Sequence, residues 1–592
     1  MSATVIAPTR QLWRTCAIVL TSIALVASGT LTDGAQSADT PARKILTGWI
    51  PYYSTDTSIP SAVTNGDLIK EVMPFWYTLK SESKITDLYT PANPSVPMST
   101  PLTTLRDSGF LIIPTITDGT AKSVLANLLA SPATRTQVVT TITTLVVKNN
   151  FDGIDLDFEG FAFVDGIASW NTTRPNWVSF IKELSVSLHA LGKVLSVTTP
   201  VQFDPKSGKK GYYVFDWVSI ASSIDRLRIM TYDYSTTSPG PIGPLTWIEQ
   251  SLQYAVAVVP ASKIYVGLAG YGRDWVTKVS GICPAQYTST IIAGAKAATF
   301  VMNKAAGLAA SYGAIPNYNE SFAEANFTYQ KVYSGQTSSG LATTCTATRT
   351  AWYQDARSYG ARASLVAKYQ LGGIAAWTLG MEDPSAMDAV RRVAVSIAPD
   401  LVLATISADS LTVTYGSPIN ISGTFQRVDG TPVVGLTVHF EIKSAEDIQW
   451  REIGQLVSSE KGTVSSLVIL SKTSSLRFTT EGSWERSASQ SAEIPIHIAR
   501  LVSVSAPTMS SSGGLIVISG SVQPHQGDLA LSLEKYAAGK WISFGATTTD
   551  ALGQYSFSVT EKERGISRFR VGVAGDNQFD VGNTPIFAIL VL

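Results

Sequence analysis

Residues Phe151 to Gly160 read Phe-Asp-Gly-Ile-Asp-Leu-Asp-Phe-Glu-Gly. Because side chains alternate between the faces of a β-strand, Asp155, Asp157 and Glu159 share one face, while the apolar residues between them share the other. Successive carboxyl groups then lie about 6.5 Å apart. Burying such a row costs several kcal/mol unless the groups share protons, accept hydrogen bonds or hold a metal. An exposed strand is the alternative, and the apolar opposite face disfavours it.

The chain around this stretch alternates between apolar strand-like runs and helical patterns from residue 45 to residue 395. This order is typical of parallel strands joined by crossover helices. We therefore predict an α/β fold, a (β/α)8 TIM barrel over residues 39–398, with an insertion at about 276–350. The loops that follow barrel strands carry the chemistry in this architecture. The eight predicted strands are residues 45–52, 72–79, 110–116, 153–158, 194–199, 227–232, 264–269 and 373–378.

After residue 399 the pattern changes to short alternating strands with Gly and Ser turns, and it repeats. The sequence Ile-Asn-Ile-Ser-Gly at 419–423 returns as Ile-Val-Ile-Ser-Gly at 516–520, and Trp450 returns as Trp541. We predict two all-β sandwich domains, 401–500 and 501–592, for which bacterial immunoglobulin-like modules fit best. They act as spacers, or they hold polysaccharide or cell wall. Trp484 and the repeated tryptophans are either sugar platforms or core residues, and we expect the repeated pair to be core.

Charge and histidine content restrict the function. The formal net charge is zero and 15% of residues are charged, with no polybasic run. We therefore expect neither nucleic acid nor an anionic membrane as partner, and a neutral carbohydrate suits the surface. Of the four histidines only His189 lies in the barrel region, on a predicted helix. Most Ser-His-Asp and multi-histidine zinc mechanisms are thus excluded, which leaves carboxyl and aromatic groups for the chemistry.

The first 38 residues read as an export signal. Arg10 and Arg14 precede an apolar stretch at 16–26, and small residues follow it. That stretch is too short to span a bilayer comfortably, and a retained membrane anchor is the alternative. We expect a secreted, extracellular monomer without membrane contact after signal removal, with possible cell-wall association through the C-terminal modules.

Two cysteines, Cys283 and Cys345, remain once the predicted signal is removed. An even pair in an exported protein favours a disulfide, and two free buried thiols are the alternative.

The four acids Asp152, Asp155, Asp157 and Glu159 reproduce a DxxDxDxE signature. The chain therefore resembles family 18 glycoside hydrolases, the chitinase family, over roughly residues 45 to 395. The resemblance implies that Glu159 protonates the glycosidic oxygen while the 2-acetamido oxygen of the sugar attacks its own anomeric carbon. The intermediate is an oxazolinium ion, and neither a metal nor an organic cofactor is expected.

The same resemblance implies roles for the neighbouring residues. Asp157 would orient the acetamido nitrogen, stabilise developing positive charge and share a proton with Asp155. Asp152 falls outside the alternation of the strand, so we predict a supporting role for it, with a catalytic role as the alternative. The segment Met-Thr-Tyr-Asp at 230–233 resembles the family's MxYD, so that Tyr232 would hold the acetamido carbonyl and Asp233 would bind the sugar. Trp377 matches the tryptophan that forms the floor beneath the reacting sugar. Further residues predicted to line the groove are Tyr271, Arg273, Trp49, Tyr52 and Trp76.

Some segments depart from the chitinase pattern. The chain has Pro-Thr-Ile-Thr-Asp-Gly at 114–119 where chitinases often show SxGG on the third strand, and the insertion does not clearly match the α+β module that often walls their groove. The segments 74–77 and 352–355 look more like the bacterial spore-germination and cell-wall branch of the family. Chitin and peptidoglycan both remain open as substrates, because both contain N-acetylglucosamine. The sequence also leaves open a non-catalytic carbohydrate-binding protein on the same barrel and an endoglycosidase that trims N-linked glycans.

Overall fold

The computed structural model describes residues 41–592, so the predicted signal at 1–38 lies outside the described residues. Eight parallel strands form a closed barrel, because the first strand pairs with both the second and the eighth. The third strand is interrupted and forms two short segments, both paired with the second strand. Two β-sandwiches follow the barrel, which confirms the predicted fold class. The barrel strands, numbered 1 to 8 below, are Leu46–Pro51, Ile69–Ser81, Leu111–Ile112 with Thr115–Asp118, Gly153–Asp157, Val194–Pro200, Arg226–Met230, Ile264–Ala269 and Gly373–Trp377.

Helices cover the outside of the barrel. The side chains of barrel strand 4 that face outward pack against them. Ile154, Leu156 and Phe158 point away from the barrel axis and are almost fully buried, with Phe158 stacked against Phe180. Each such side chain contributes about 1.5–3 kcal/mol by leaving water. None of the helices in the described part of the chain is long and apolar enough to cross a membrane. The α-helices are Thr55–Thr64, Tyr89–Ala92, Ser99–Asp107, Val124–Ala130, Pro132–Lys148, Gly160–Phe163, Trp170–His189, Trp217–Ile220, Leu245–Val258, Ala305–Ser311, Ala356–Tyr369 and Pro384–Ser396.

The insertion after barrel strand 7 is larger than predicted. It begins at Tyr271 and runs to Tyr353, and it combines a five-stranded antiparallel sheet with the helix Ala305–Ser311. It is therefore an α+β unit, although its sequence does not clearly match the α+β module of chitinases. Cys283 and Cys345 form a disulfide within it, with their Cα atoms 4.7 Å apart. The strands of the sheet are Tyr271–Gly281, Ala298–Val301, Asn317–Asn319, Glu324–Gln336 and Ala342–Tyr353.

A buried ion pair joins this insertion to the barrel. Glu324 pairs with Arg362 of the following helix at 2.8 Å, and neither side chain is exposed. Glu324 also accepts hydrogen bonds from the backbone N–H groups of Ile242 and Gly243, at 2.6 and 2.8 Å. The insertion thereby fixes the loop that follows barrel strand 6.

The two C-terminal sandwiches have the same topology, as the sequence repeat predicts. Each packs a three-stranded sheet against a six-stranded sheet. The immunoglobulin-like assignment stays a prediction. The first sandwich contains Val402–Ala408, Thr412–Thr414, Pro418–Arg427, Thr437–Ser444, Arg451–Val457, Thr463–Ile469, Ser474–Thr480, Ser489–Gln490 and Ile494–Ala499. The second contains Leu501–Val502, Met509–Ser510, Leu515–Gln523, Ala530–Ala537, Lys540–Thr548, Gln554–Thr560, Gly565–Val573, Gly582–Asn583 and Phe587–Val591.

The tryptophans of the sandwiches are not core residues, contrary to our expectation for the repeated pair. Trp450 is half-buried beneath the guanidinium of Arg477, 4.1 Å from its ring centre, and Trp541 lies 4.5 Å beneath Arg570 in the same way. Trp484 packs against the barrel, with the guanidinium of Arg43 4.0 Å above its ring. Each ring thus has a cation over one face, which stabilises an exposed or partly exposed aromatic side chain.

Candidate active site

Asp155 lies inside the barrel and has no exposed surface. Its carboxylate accepts hydrogen bonds from Thr115 at 2.8 Å, from Ser196 at 2.5 Å and from Thr198 at 3.0 and 3.1 Å. The guanidinium of Arg228 lies 3.5 Å away. Four neighbours on barrel strands 3, 5 and 6 therefore offset the cost of burying this carboxyl group.

Asp157 is the last residue of barrel strand 4 and points toward the open end of the barrel. Its Oδ1 atom is buried and accepts no hydrogen bond within the described residues. Burial, followed by the charges of Glu159 and Asp155, raises the pKa of Asp157 well above its ordinary value. A carboxyl group in this environment tends to keep a proton.

Glu159 follows the strand and precedes the short helix Gly160–Phe163. The predicted strand 153–158 ends one residue early, at Asp157, and Glu159 has helical backbone angles. It nevertheless lines the same cavity as Asp157. Burial raises the pKa of Glu159 to about 7, and the nearby charge of Asp233 adds to this effect. Glu159 is thus a carboxylic acid that can still donate a proton near neutral pH.

Tyr232 and Asp233 lie in the loop that follows barrel strand 6. Burial is the main cause that raises the pKa of the Tyr232 hydroxyl well above its ordinary value, so the group remains a hydrogen-bond donor. Asp233 accepts a hydrogen bond from the Tyr271 hydroxyl and forms a 2.7 Å ion pair with Arg273. The inserted unit therefore fixes Asp233 through its first strand.

Two cavities meet at Trp377 at the end of barrel strand 8. One has a volume of about 400 Å³ and contains Asp157 and Glu159. The other has a volume of about 330 Å³ and contains Asp233, Tyr271 and Arg273. Below, the first is called the acid cavity and the second the insertion cavity. Both are open and lie at the end of the barrel where catalytic loops are expected.

Three predicted groove residues lie outside the two cavities. Trp76 has no exposed surface and packs against Tyr89 in the core, and Trp49 is 2% exposed and donates its indole N–H to Thr115 at 3.0 Å. Tyr52 is half-buried and lines neither cavity. Burial excludes Trp49 and Trp76 from the surface of the groove and favours the alternative that they are packing residues, whereas a groove position for Tyr52 stays a prediction. Trp49 instead supports Trp377 from below, with the ring centres 5.7 Å apart.

Several cavity residues were not predicted. Phe75 contacts Trp377, with ring centres 5.0 Å apart, and belongs to the opposite strand face from the predicted Trp76. Asp118 lines the acid cavity, and burial raises its pKa. A Cβ atom at Gly160 would lie too close to the Asp118 carboxylate, so a larger residue there would require the Asp118 side chain to shift. Asp118 could have been singled out from the sequence, because it lies in segment 114–119, which departs from the chitinase pattern.

The supporting role of Asp152 stays a prediction, and its contacts are with the backbone. Asp152 accepts a hydrogen bond from the backbone N–H of Ile112 at 2.7 Å and lines neither cavity. Across residues 41–592 no cluster of three or more His, Cys, Asp or Glu side chains is arranged to hold a metal ion.

Glu159, an acid with a raised pKa, thus lies in one cavity with Asp157 and Trp377 at the loop end of a closed parallel barrel, which makes it a candidate general acid. Residues 52–382 match the family model described as glycosyl hydrolases family 18. The chain belongs to this family.

Comparisons with known proteins give relatives within this family. The sporulation-specific glycosylase YdhD of Bacillus subtilis (strain 168) is 26% identical over 366 residues, which cover 61% of this chain and 74% of YdhD. The cortical fragment-lytic enzyme of Bacillus anthracis is 25% identical over 279 residues, covering 46% of this chain and 57% of that enzyme. The crystal structure of a chitinase from Chromobacterium violaceum ATCC 12472 has 25% identity and a TM-score of 0.47, and it covers 59% of this chain and 98% of the chitinase.

Proposed function

We propose that this protein is a secreted retaining glycosidase that hydrolyses β-linked N-acetylglucosamine polymers by substrate-assisted catalysis. The observation that carries the proposal is Glu159, a largely buried acid with a pKa of about 7 in the same cavity as Asp157. Secretion rests on the sequence pattern of residues 1–38 alone.

In the proposed reaction, the N-acetylglucosamine unit that is cleaved lies on Trp377, whose face packs against the C–H bonds of the sugar. The Tyr232 hydroxyl donates to the acetamido carbonyl oxygen and holds it for attack. Asp157 accepts the acetamido N–H through its unpartnered Oδ1 atom. This arrangement supplies orientation before any bond is broken.

Bond cleavage then needs one proton and one nucleophile. The acetamido oxygen attacks the anomeric carbon while Glu159 gives its proton to the glycosidic oxygen, and the leaving sugar departs. Water attacks the oxazolinium ion, and the Glu159 carboxylate takes the proton of that water. Two displacements at one carbon retain its configuration.

Peptidoglycan is the substrate that we place first, and chitin the second. Relatives of this chain are named for sporulation and for cortical fragment lysis. The acid cavity also contains Asp118, Lys122 and Asp165 outside the reacting groups. Lys122 can pair with a carboxylate of the peptide substituents of peptidoglycan, and chitin has no such group.

The test is product release from peptidoglycan and from N-acetylglucosamine oligomers by the purified chain, compared with Glu159→Gln. Glutamine keeps the shape of the side chain but has no proton to give, so turnover should fall at least about 10²-fold while sugar binding remains. Glu320→Gln, at an exposed glutamate of the insertion, is the matched control and should retain full activity. Binding of both polymers without release by the unaltered chain would contradict the proposal and favour a carbohydrate-binding protein.

A further inference from the structure

A row of buried charges crosses the barrel interior beneath the acid cavity. Glu71, Asp155 and Arg228 lie on barrel strands 2, 4 and 6, and none of them has exposed surface. The Arg228 guanidinium donates to Glu71 through Nη2 and to Ser196 through Nη1, and its Nη1 lies 3.5 Å from Asp155. Arg226 makes a second contact to Glu71, at 3.2 Å from each carboxylate oxygen.

The hydrogen bonds of Asp155 indicate which of its forms the barrel stabilises. The hydroxyl groups of Thr115, Ser196 and Thr198 all donate to it, and Arg228 adds a positive charge. Donors and a cation stabilise the carboxylate rather than the acid. Asp157 has the opposite environment, because its buried Oδ1 has no partner within the described residues.

We propose that Arg228 is a positioning residue of the reaction, which keeps Asp155 as the carboxylate so that Asp157 carries the proton that the two residues share. Glu71 limits this effect by neutralising part of the Arg228 charge. Asp155 and Asp157 together hold one proton and one negative charge in either arrangement. Arg228 determines which of the two carries the proton in the resting enzyme. The inference rests on the proposed function of the acid row.

The charged and titratable groups around Arg228 set the sign of the expected effect. Glu71 and Arg226 face it from barrel strands 2 and 6, and the ring of Tyr265 on strand 7 lies 5.3 Å from its guanidinium. Asp157 and Glu159 follow Asp155 along the chain, and the charge of Asp155 acts on Asp157. The charge of Asp233, in the loop after strand 6, acts on Glu159.

Opposite substitutions should therefore move the titration of Glu159 in opposite directions. Arg228→Met removes a positive charge and transfers the shared proton to Asp155, so Asp157 becomes an anion beside Glu159, which then ionises at higher pH. Glu71→Gln leaves the Arg228 charge uncompensated, so Glu159 ionises at lower pH. Loss of either charge shifts the titration of Glu159 by Coulomb interaction alone, so the deciding observation is the position of the shared proton: Arg228→Met should move it from Asp157 to Asp155, and Glu71→Gln should leave it on Asp157.

The experiment measures the pH at which Glu159 ionises in the full chain, in two ways. The first is the basic limb of kcat/KM on the better of the two polymers. The second, which needs no turnover, is the carboxyl ¹³C shift in protein labelled at glutamate and aspartate, assigned with Glu159→Gln, Asp157→Asn and Asp155→Asn. We expect a rise of about half a pH unit or more for Arg228→Met, which also exchanges the acid and carboxylate signals of Asp155 and Asp157, and a smaller fall for Glu71→Gln. Arg349→Met removes a buried arginine of the insertion that pairs with Asp274 at 2.9 Å, and it should cause no shift.

Unchanged titration in both variants, or a shared proton that stays on Asp157 in Arg228→Met, would overturn the inference. If Arg228→Met does not fold, the aspartate signals of the unaltered chain decide: Asp155 as the carboxylate and Asp157 as the acid support the inference, and the reverse overturns it. Failure of the proposed function is a separate result, namely the absence of Glu159-dependent turnover in the unaltered chain. The ¹³C titration still tests the role of Arg228 in that case.

Discussion

The interior of the barrel and the interiors of the two sandwiches are built from the same alternation of side chains, but they hold different groups. Glu71, Asp155 and Arg228 are fully buried inside the barrel. The core cluster of the first sandwich consists of apolar residues such as Phe425, Phe440 and Phe478. Buried ion pairs contribute little net stability, whereas close-packed apolar side chains contribute much. The comparison indicates that the charges inside the barrel serve the acid row, while the apolar core cluster of the first sandwich serves stability.

The largest expected effect is on turnover, from a change in the acid row. Asp157→Asn keeps the shape of the side chain but cannot share a proton with Asp155. We expect kcat to fall about 10³-fold. Steady-state kinetics on the polymer that the unaltered chain degrades measures it.

Asp152→Asn is the matched control, because it makes the same change in the same motif. Its carboxylate only accepts the Ile112 backbone N–H, and an amide oxygen can accept that bond as well. We expect kcat within a few-fold of the unaltered value. Equal losses of kcat in the two variants would mean that any change in the motif lowers turnover, and would contradict a specific role for Asp157.

The next effect is on stability, from a change in a sandwich core. Phe478 is fully buried and packs against Phe440, with ring centres 4.9 Å apart. Phe478→Ala should lower the free energy of unfolding of that sandwich by about 3–4 kcal/mol through lost burial and a cavity. Denaturant unfolding measures it, and turnover below the unfolding transition should not change. Lost turnover in a folded variant would show that the sandwich takes part in catalysis.

The smallest expected effect is a shift in pH dependence. Glu159 must be protonated to act as the acid, and its pKa of about 7 is raised by burial and then by Asp233. Activity is therefore present below this pH, and kcat/KM falls about tenfold per pH unit above it. Asp233→Asn removes a negative charge, so the basic limb of the kcat/KM profile should move to lower pH. A limb that stays in place, or moves upward, would show that Asp233 does not act on Glu159.

The sequence predicted the barrel, the acid row and the two sandwiches because each depends on a local pattern. Alternation placed Asp155 and Asp157 on one face and Ile154 and Leu156 on the other, and the structure has this arrangement. The repeat after residue 399 predicted two domains of the same topology. These features follow from strand geometry, which a single sequence contains.

Other features depend on contacts between distant strands, and the sequence did not predict them. Phe75 and Trp76 are adjacent and equally aromatic, and only the register of barrel strand 2 decides that Phe75 faces the cavity. A shift of one residue exchanges the two faces. Arg228 and Glu71 are 157 residues apart, and closure of the barrel brings them together. The stack of Trp450 under Arg477 likewise requires the fold of the sandwich.

The most direct test of the central claim is the configuration of the first product. Substrate-assisted catalysis through Glu159 forms and opens an oxazolinium ion at one carbon, so the released sugar should first carry the β-anomeric configuration. Proton NMR of a N-acetylglucosamine oligomer, recorded within the first minutes of cleavage and before mutarotation, distinguishes the anomers. A β-anomer that is absent with Glu159→Gln is the result that our account predicts. An α-anomer as first product would mean direct attack by water and would contradict it.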